Sequence, residues 1–210
     1  MELGAYVLEH FEKAPTGPQS GLMADLAARC ASGELEQTVA LAMMLTLFSA
    51  AGESTASLLG SAAWILVSQP DIQKQVRENP GLLSSFIEES LRFEPPFRAH
   101  YRYVLRDTTL DSVDVPADLH LLLMWGAANR DPAQFDSPQD FRLDRTGVKN
   151  HVTFGRGAHF CVGAALARLE ALIVLRMLLD RTDWIAPVDA GQWLPSILVR
   201  RLKRLEITVS

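Results

Sequence analysis

Between Val39 and Val67 the chain carries a single formal charge, Glu53. As a helix rising about 1.5 Å per residue the stretch would be about 44 Å long, enough to cross a bilayer. Ser49, Glu53, Ser54, Thr55, Ser57 and Ser61 crowd its middle, the depth at which a spanning helix tolerates polar groups least. It is therefore expected to be a core helix of a water-soluble protein, with no membrane as partner.

Around it, helical spacing dominates the first 95 or so residues. Leu3, Tyr6, Val7 and Phe11 form one stripe, and Leu22, Leu26 and Cys30 form another before Gly33. Ala14–Gly21, with Pro15, Gly17 and Pro18, reads as the loop between them. After the long helix, Ser68 with Asp71 three residues on looks like the cap of a short helix carrying Ile72 and Val76. Asn79-Pro80 restarts the chain, and Leu83, Phe86, Ile87 and Leu91 stripe a helix that Pro95-Pro96 ends. From His100 the pattern changes. Val113 and Val115 alternate with polar residues and Leu119–Met124 is a short apolar run, both expected as strands. Gly126–Thr153 has little periodicity and reads as a long irregular connection with one short helical turn, a length that usually serves function. Helical spacing returns from Cys161 to about Leu179, and Trp184–Val209 reads as turns and short strands. The fold class expected is mainly α with a small β region, and no repeat or interdomain linker is visible.

With 20 basic and 25 acidic residues the net charge is −5, which argues against nucleic acid as partner and favours a small molecule. Cys30 and Cys161 are too few for a disulfide framework, and no CxxC or His/Cys cluster suggests structural zinc. A cytoplasmic location is expected. Met1–Lys13 lacks the basic start and unbroken apolar core of a secretory signal. Cys30 reads as a buried cysteine near a helix start.

The densest local signal is Phe154-Gly155-Arg156-Gly157-Ala158-His159-Phe160-Cys161-Val162-Gly163, with Ala167 four residues further on. Two glycines, an aromatic and a cysteine directly precede a helix. Glycines allow close approach to a flat ligand, and a helix N-terminus favours a thiolate through its dipole and donors. The loop resembles the haem-binding loop of the cytochrome P450 monooxygenases at every fixed position of Phe-Gly-x-Gly-x-His-x-Cys-x-Gly-x-x-x-Ala. The resemblance implies the C-terminal portion of that fold, with haem b (iron protoporphyrin IX) held by Cys161 as metal ligand. Phe154, Gly155, Gly157 and Gly163 would frame the cofactor.

Three further segments fall in the family's order. Glu89 and Arg92, three apart on one helix face, resemble the Glu-x-x-Arg element that braces the irregular segment ahead of the haem loop. The resemblance implies a third, basic member from that segment. Asp140 stands where many relatives carry arginine, which leaves Arg142 and Arg145 as alternatives. Arg102 sits where relatives place a haem-propionate partner, with Arg98 a competitor and His159 a second propionate partner. His10, His100, His120 and His151 read as polar or loop histidines, and no histidine reads as a metal ligand. Ala51-Gly52-Glu53-Ser54-Thr55 resembles the oxygen-activation motif, in which Ala51 and Thr55 share a face and line a dioxygen pocket. Ser54 occupies the position of the family's acid, and Glu53, two residues from Thr55, points about 200° away. The activity implied is insertion of one oxygen atom from O2 into a small organic substrate, with electrons from a ferredoxin and its reductase. Arg156 and Arg168, near the cysteine, are candidates to attract that acidic partner.

The resemblance covers only about half of a typical family member. Residues 1–210 are thus expected to be a partial cytochrome P450 domain, either a truncated part of the enzyme or a non-catalytic remnant without a complete haem and substrate pocket. Either way the long apolar helix is expected to expose a large patch.

Overall fold

The computed structural model describes residues 2–14 and 20–210, in two units, Met1–Glu53 and Ser54–Ser210. The loop expected over Ala14–Gly21 lies largely outside the described residues. In the first unit, α1 (Glu2–Lys13) buries Val7 and Phe11, one turn apart, and α2 (Leu22–Ala31) buries Leu26 and Ala27. Phe11, Leu26 and Ala27 share a small core with Ala40. Gly33, at φ +78°, ends α2 in the left-handed conformation that glycine adopts without strain. Cys30 lies in the last turn of α2, half-buried, and not near a helix start.

The apolar stretch forms one continuous helix, α3 (Gln37–Ser68), whose residues through Glu53 belong to the first unit. Its length and composition would suffice to cross a membrane, and only 6% of its apolar window is buried within this chain. The expected core helix is realised only towards its C-terminal end, where Leu58, Ala62, Ile65 and Leu66 are buried. Val39, Met43 and Phe48 are exposed. Ser57 and Ser61 are fully buried with hydroxyls that have no hydrogen-bond partner. An unpaired buried hydroxyl costs about 1–3 kcal/mol, so Ser61→Ala is expected to raise the urea midpoint by the equivalent of about 1 kcal/mol. A loss of stability of that size would show that the hydroxyl is satisfied in solution.

α4 (Pro70–Glu78) follows at once, with Gln69 at the capping position and Pro70 in its first turn. Ser68 is not the cap. It ends α3, and proline, which needs no N–H partner, opens the next helix instead. Asn79 does redirect the chain, its side chain accepting from Gly81 N–H. α5 (Leu83–Phe93) buries both of its faces, Leu83, Phe86, Ile87 and Leu91 together with Glu88, Glu89, Ser90 and Arg92. It ends before the proline pair, as the fixed φ of Pro95-Pro96 requires.

The β region is four separate two-stranded antiparallel ladders. β1 (His100–Tyr103) pairs with β4 (His120–Leu123), and β2 (Thr108–Leu110) with β3 (Val113–Val115). β5 (Ile185–Pro187) pairs with β8 (Ile207–Val209), and β6 (Gln192–Trp193) with β7 (Leu202–Arg204). Between β4 and the cysteine loop, one helical turn, α6 (Trp125–Ala128), and a 3-10 turn at Val148–Asn150 punctuate an otherwise irregular run. α7 (Ala164–Asp180) begins three residues after Cys161, not at it. The second unit's core unites α3, α5, α7 and the irregular run through Leu58, Ile65, Leu66, Phe86, Leu91, Phe141, Leu143 and Leu175. The opposite side of α7 leaves Leu166, Leu169, Ile173 and Met177 about half exposed.

Candidate haem-thiolate site

α5 places a carboxylate and a guanidinium, Glu89 and Arg92, at the centre of the second unit, both fully buried. Arg92 Nε donates to Glu89 Oε2 at 2.8 Å and Nη2 to Oε1 at 2.7 Å. The remaining N–H groups reach backbone carbonyls of the irregular run, from Nη1 to Asn129 O (2.9 Å) and Pro138 O (2.8 Å), and from Nη2 to Asp140 O (3.0 Å). All five donors of the guanidinium are thereby used. Arg145 completes the group, its Nε 3.0 and 3.1 Å from the two Glu89 oxygens. Its Nη atoms donate to the carbonyls of Asp136, Ser137 and Asp140. Of the two alternatives, Arg145 therefore meets Glu89 through its side chain. Arg142 donates only its backbone N–H to Glu89 (3.0 Å), and its guanidinium turns outward to Asp136 and Asp144. Asp140 contributes a carbonyl to both arginines. A segment without regular ladders must find partners for its peptide groups elsewhere, and here three side chains supply them.

The same run is pinned to α5 at a second level. Asn129, also fully buried, accepts Val152 N–H (2.8 Å) and donates to Thr153 Oγ1 (2.8 Å), which donates to Leu91 O (2.7 Å). His151 is not a loop histidine of the ordinary exposed kind. It is buried and lies 3.2 Å from Glu88 Oε2. Arg168 closes on the same carboxylate with 2.5 and 3.0 Å contacts. Burial alone would push Glu88 up, but the hydrogen bonds and charges of His151 and Arg168 outweigh it and hold the carboxyl at about 2. Arg168 is accordingly committed to an internal partner and is not a free surface cation for an acidic protein. Lys149 and Arg156 remain exposed, on a cleft of about 320 Å³ that His151, Phe154 and Phe160 also line. Neither the His151 nor the Arg168 contact was visible in the sequence, where 63 and 80 positions separate them from Glu88.

Phe154 through Gly163 leaves this scaffold as a short loop. Gly155 (φ +73°) and Gly157 (φ +72°) take conformations that side chains resist. Cys161 N–H donates to Phe154 O at 2.9 Å, closing the loop. That donor is spent on the loop's own backbone. Gly163 lies beside the sulfur, where an added Cβ would sit 3.8 Å from Sγ. Cys161 itself is a free, exposed thiol flanked by the exposed apolar side chains of Phe160 and Val162. Among the described residues no group of three or more His, Cys, Asp or Glu could hold a metal ion. Cys161 is the ligand that this loop offers to a metal. One thiolate flanked by apolar side chains, with open space at Gly157, fits a flat macrocyclic iron complex.

The other predicted residues stand on separate elements. Arg102, on β1, is exposed and donates to its neighbour Tyr101 O, and Arg98 is also exposed. His159 is exposed on the 3-10 turn Gly157–His159 within the loop. Ala51 and Thr55 lie one turn apart on α3, with Ala51, Gly52 and Glu53 exposed and Ser54 and Thr55 half-buried.

The cysteine loop follows an irregular run tied to a buried Glu-Arg-Arg cluster, and comparison with known proteins gives the family to which this arrangement belongs. The cytochrome P450 family model matches residues 81–203. The chain belongs to the cytochrome P450 family. It is 65% identical over 209 residues to Cytochrome P450 144 of Mycobacterium tuberculosis, covering all of this chain and 48% of that protein. Among solved structures it resembles the substrate-free Mycobacterium marinum cytochrome P450 CYP150A6, with TM-score 0.90 and 35% identity over 99% of this chain and 54% of that one. It also resembles CYP109E1 from Bacillus megaterium in complex with testosterone, with TM-score 0.91 and 32% identity over 98% of this chain and 58% of that one. The chain spans about half the length of the curated relatives it matches. Membership implies a haem-thiolate cofactor, O2, an organic substrate and a redox partner for the family as a whole.

Proposed function

We propose that residues 1–210 are part of a single cytochrome P450 domain that inserts one oxygen atom from O2 into a small organic substrate in the cytoplasm, using electrons from a ferredoxin and its reductase. The observation that carries this reading is the exposed Cys161 thiol on a glycine-turned loop whose base is tied to α5. Haem b held there by Cys161 would supply the chemistry of O–O cleavage, which a thiolate ligand favours. Cys161 binds the iron. Phe154, Gly155, Gly157 and Gly163 shape the loop around it, and His159 and Arg102 bind the propionates. Glu89, Arg92 and Arg145 hold the irregular run beneath the loop. Ala51 leaves room beside α3 for dioxygen, and Thr55 relays protons at Oγ1 through water. Ser54, in the position of the family's acid, relays protons without being a source, since a hydroxyl does not ionise near neutral pH. Glu53 is the acid of this helix turn, but its side chain diverges from Thr55, so it does not take the place of the family's acid by a simple slip. Lys149 and Arg156, exposed on the cleft that Phe154 and Phe160 also line, are the cations offered to an acidic electron donor.

A second reading is a non-catalytic remnant with the motifs but without a complete pocket. An absorption spectrum of the purified chain with added haem, reduced under carbon monoxide, separates the two. A red-shifted thiolate–carbonyl Soret band that disappears in Cys161→Ser is expected. A spectrum identical in parent and variant would remove Cys161 as ligand and leave the remnant.

A further inference from the structure

Two neighbouring carboxylates on α5 are buried, and the proposed reading uses only Glu89. Glu88 lies about 100° around the helix and gathers a different set of groups. His151 Nε2 stands 3.2 Å from its Oε2, and Arg168 grips it with Nε at 2.5 Å from Oε1 and Nη2 at 3.0 Å from Oε2. The Glu88 and His151 side chains are 6% and 1% exposed. The guanidinium of Arg168 then lies over the ring of Phe154, 4.5 Å from its centroid. Phe154 is also the residue whose carbonyl accepts Cys161 N–H. A continuous path of contacts therefore runs from α5 through α7 to both ends of the cysteine loop.

We propose that Glu88, His151 and Arg168 are positioning residues that fix the cysteine loop against α5 and α7, so that Cys161 is held at a set height before any cofactor arrives. The chemistry favours this over an incidental ion pair. A buried carboxylate is tolerated only when paired and hydrogen-bonded, and the two-pronged Arg168 contact fixes the plane of the guanidinium as well as its charge. That plane is what meets the Phe154 face. His151, three residues before Phe154, ties the entry to the loop to the same carboxylate. Thr153, between them, is bonded to Leu91 O, so the strand of chain entering the loop has no slack.

The purpose assigned to the cluster rests on Cys161 as iron ligand, but its test does not need haem. Amide hydrogen exchange is compared in the full chain for the parent, Arg168→Lys and Phe154→Leu. Lysine keeps a cation for Glu88 but offers no flat fork, whereas Phe154→Leu keeps the ion cluster and removes the ring. In both variants the Cys161 and Gly155 amides, which donate to Phe154 O and Val152 O, are expected to exchange at least about tenfold faster, while α5 amides keep parent rates. Parent rates at the loop in both variants would overturn the proposal. So would an equal acceleration of every amide in the second unit, which marks a general scaffold. A failed carbon monoxide spectrum with localised exchange would count against the haem reading alone.

Discussion

Glu89→Ala is expected to abolish the cooperative fold of residues 54–210, the largest single effect in the molecule. The substitution removes one carboxylate and leaves two guanidiniums, on Arg92 and Arg145, inside the protein with only carbonyl dipoles as partners. Removing one member of a buried ion pair costs about 3–5 kcal/mol, and here a second cation loses the same partner. Domain stabilities of about 5–15 kcal/mol leave little after such a loss. Arg145→Ala should cost about 3 kcal/mol, because Glu89 keeps Arg92. Arg142→Ala is the control: its partners Asp136 and Asp144 are exposed, and the change should stay within about 0.5 kcal/mol. Urea unfolding followed by tryptophan fluorescence reads the series, since Trp64 and Trp193 are in ring contact within this unit. Equal midpoints for Arg142→Ala and Arg145→Ala would refute the assignment of Arg145 as the third member.

The part of this cluster legible in the sequence was its local half. Glu89 and Arg92 are three residues apart, and helix geometry alone puts them on one face. Arg145 follows 56 positions later, and nothing in spacing distinguished it from Arg142, because the irregular run between has no period to count along. Helices were legible for the opposite reason, apolar periodicity and proline punctuation being local. The exceptions are instructive. Ser68 satisfied the spacing of a cap, but Pro70 opened the helix without needing one. The apolar length of α3 suggested a core helix, yet only its C-terminal end finds partners in this chain. In the cysteine loop the motif set the thiol directly before a helix, and α7 begins three residues beyond it, while the brace through His151 and Arg168 stayed hidden, since His151 looked like a polar loop histidine and Arg168 like a surface cation until the fold brought them to Glu88.

Gln73 carries the same lesson in an uncharged form and yields the second large expected effect. Its side chain is fully buried on α4. Nε2 donates to Leu66 O (3.1 Å) and Ile185 O (2.9 Å), and Oε1 accepts from Ile185 N–H (2.9 Å) and Arg77 Nε (3.1 Å). One amide thus joins the end of α3, α4 and the start of β5, although Ile185 lies 112 positions away. Gln73→Leu keeps much of the volume but leaves the Leu66 carbonyl and both Ile185 backbone groups unpaired in the interior. At about 1–3 kcal/mol for each unsatisfied group, and with some relaxation, the loss should be about 3–5 kcal/mol. Gln73→Glu should cost at least as much, because a carboxylate oxygen would face two carbonyl oxygens where the amide donated. Arg77 would offset part of that charge, since its Nε already reaches this side chain. Urea midpoints for the two variants test the assignment. A Gln73→Leu protein within about 0.5 kcal/mol of the parent would show that water reaches these groups and that β5 docks on α4 by apolar contact alone.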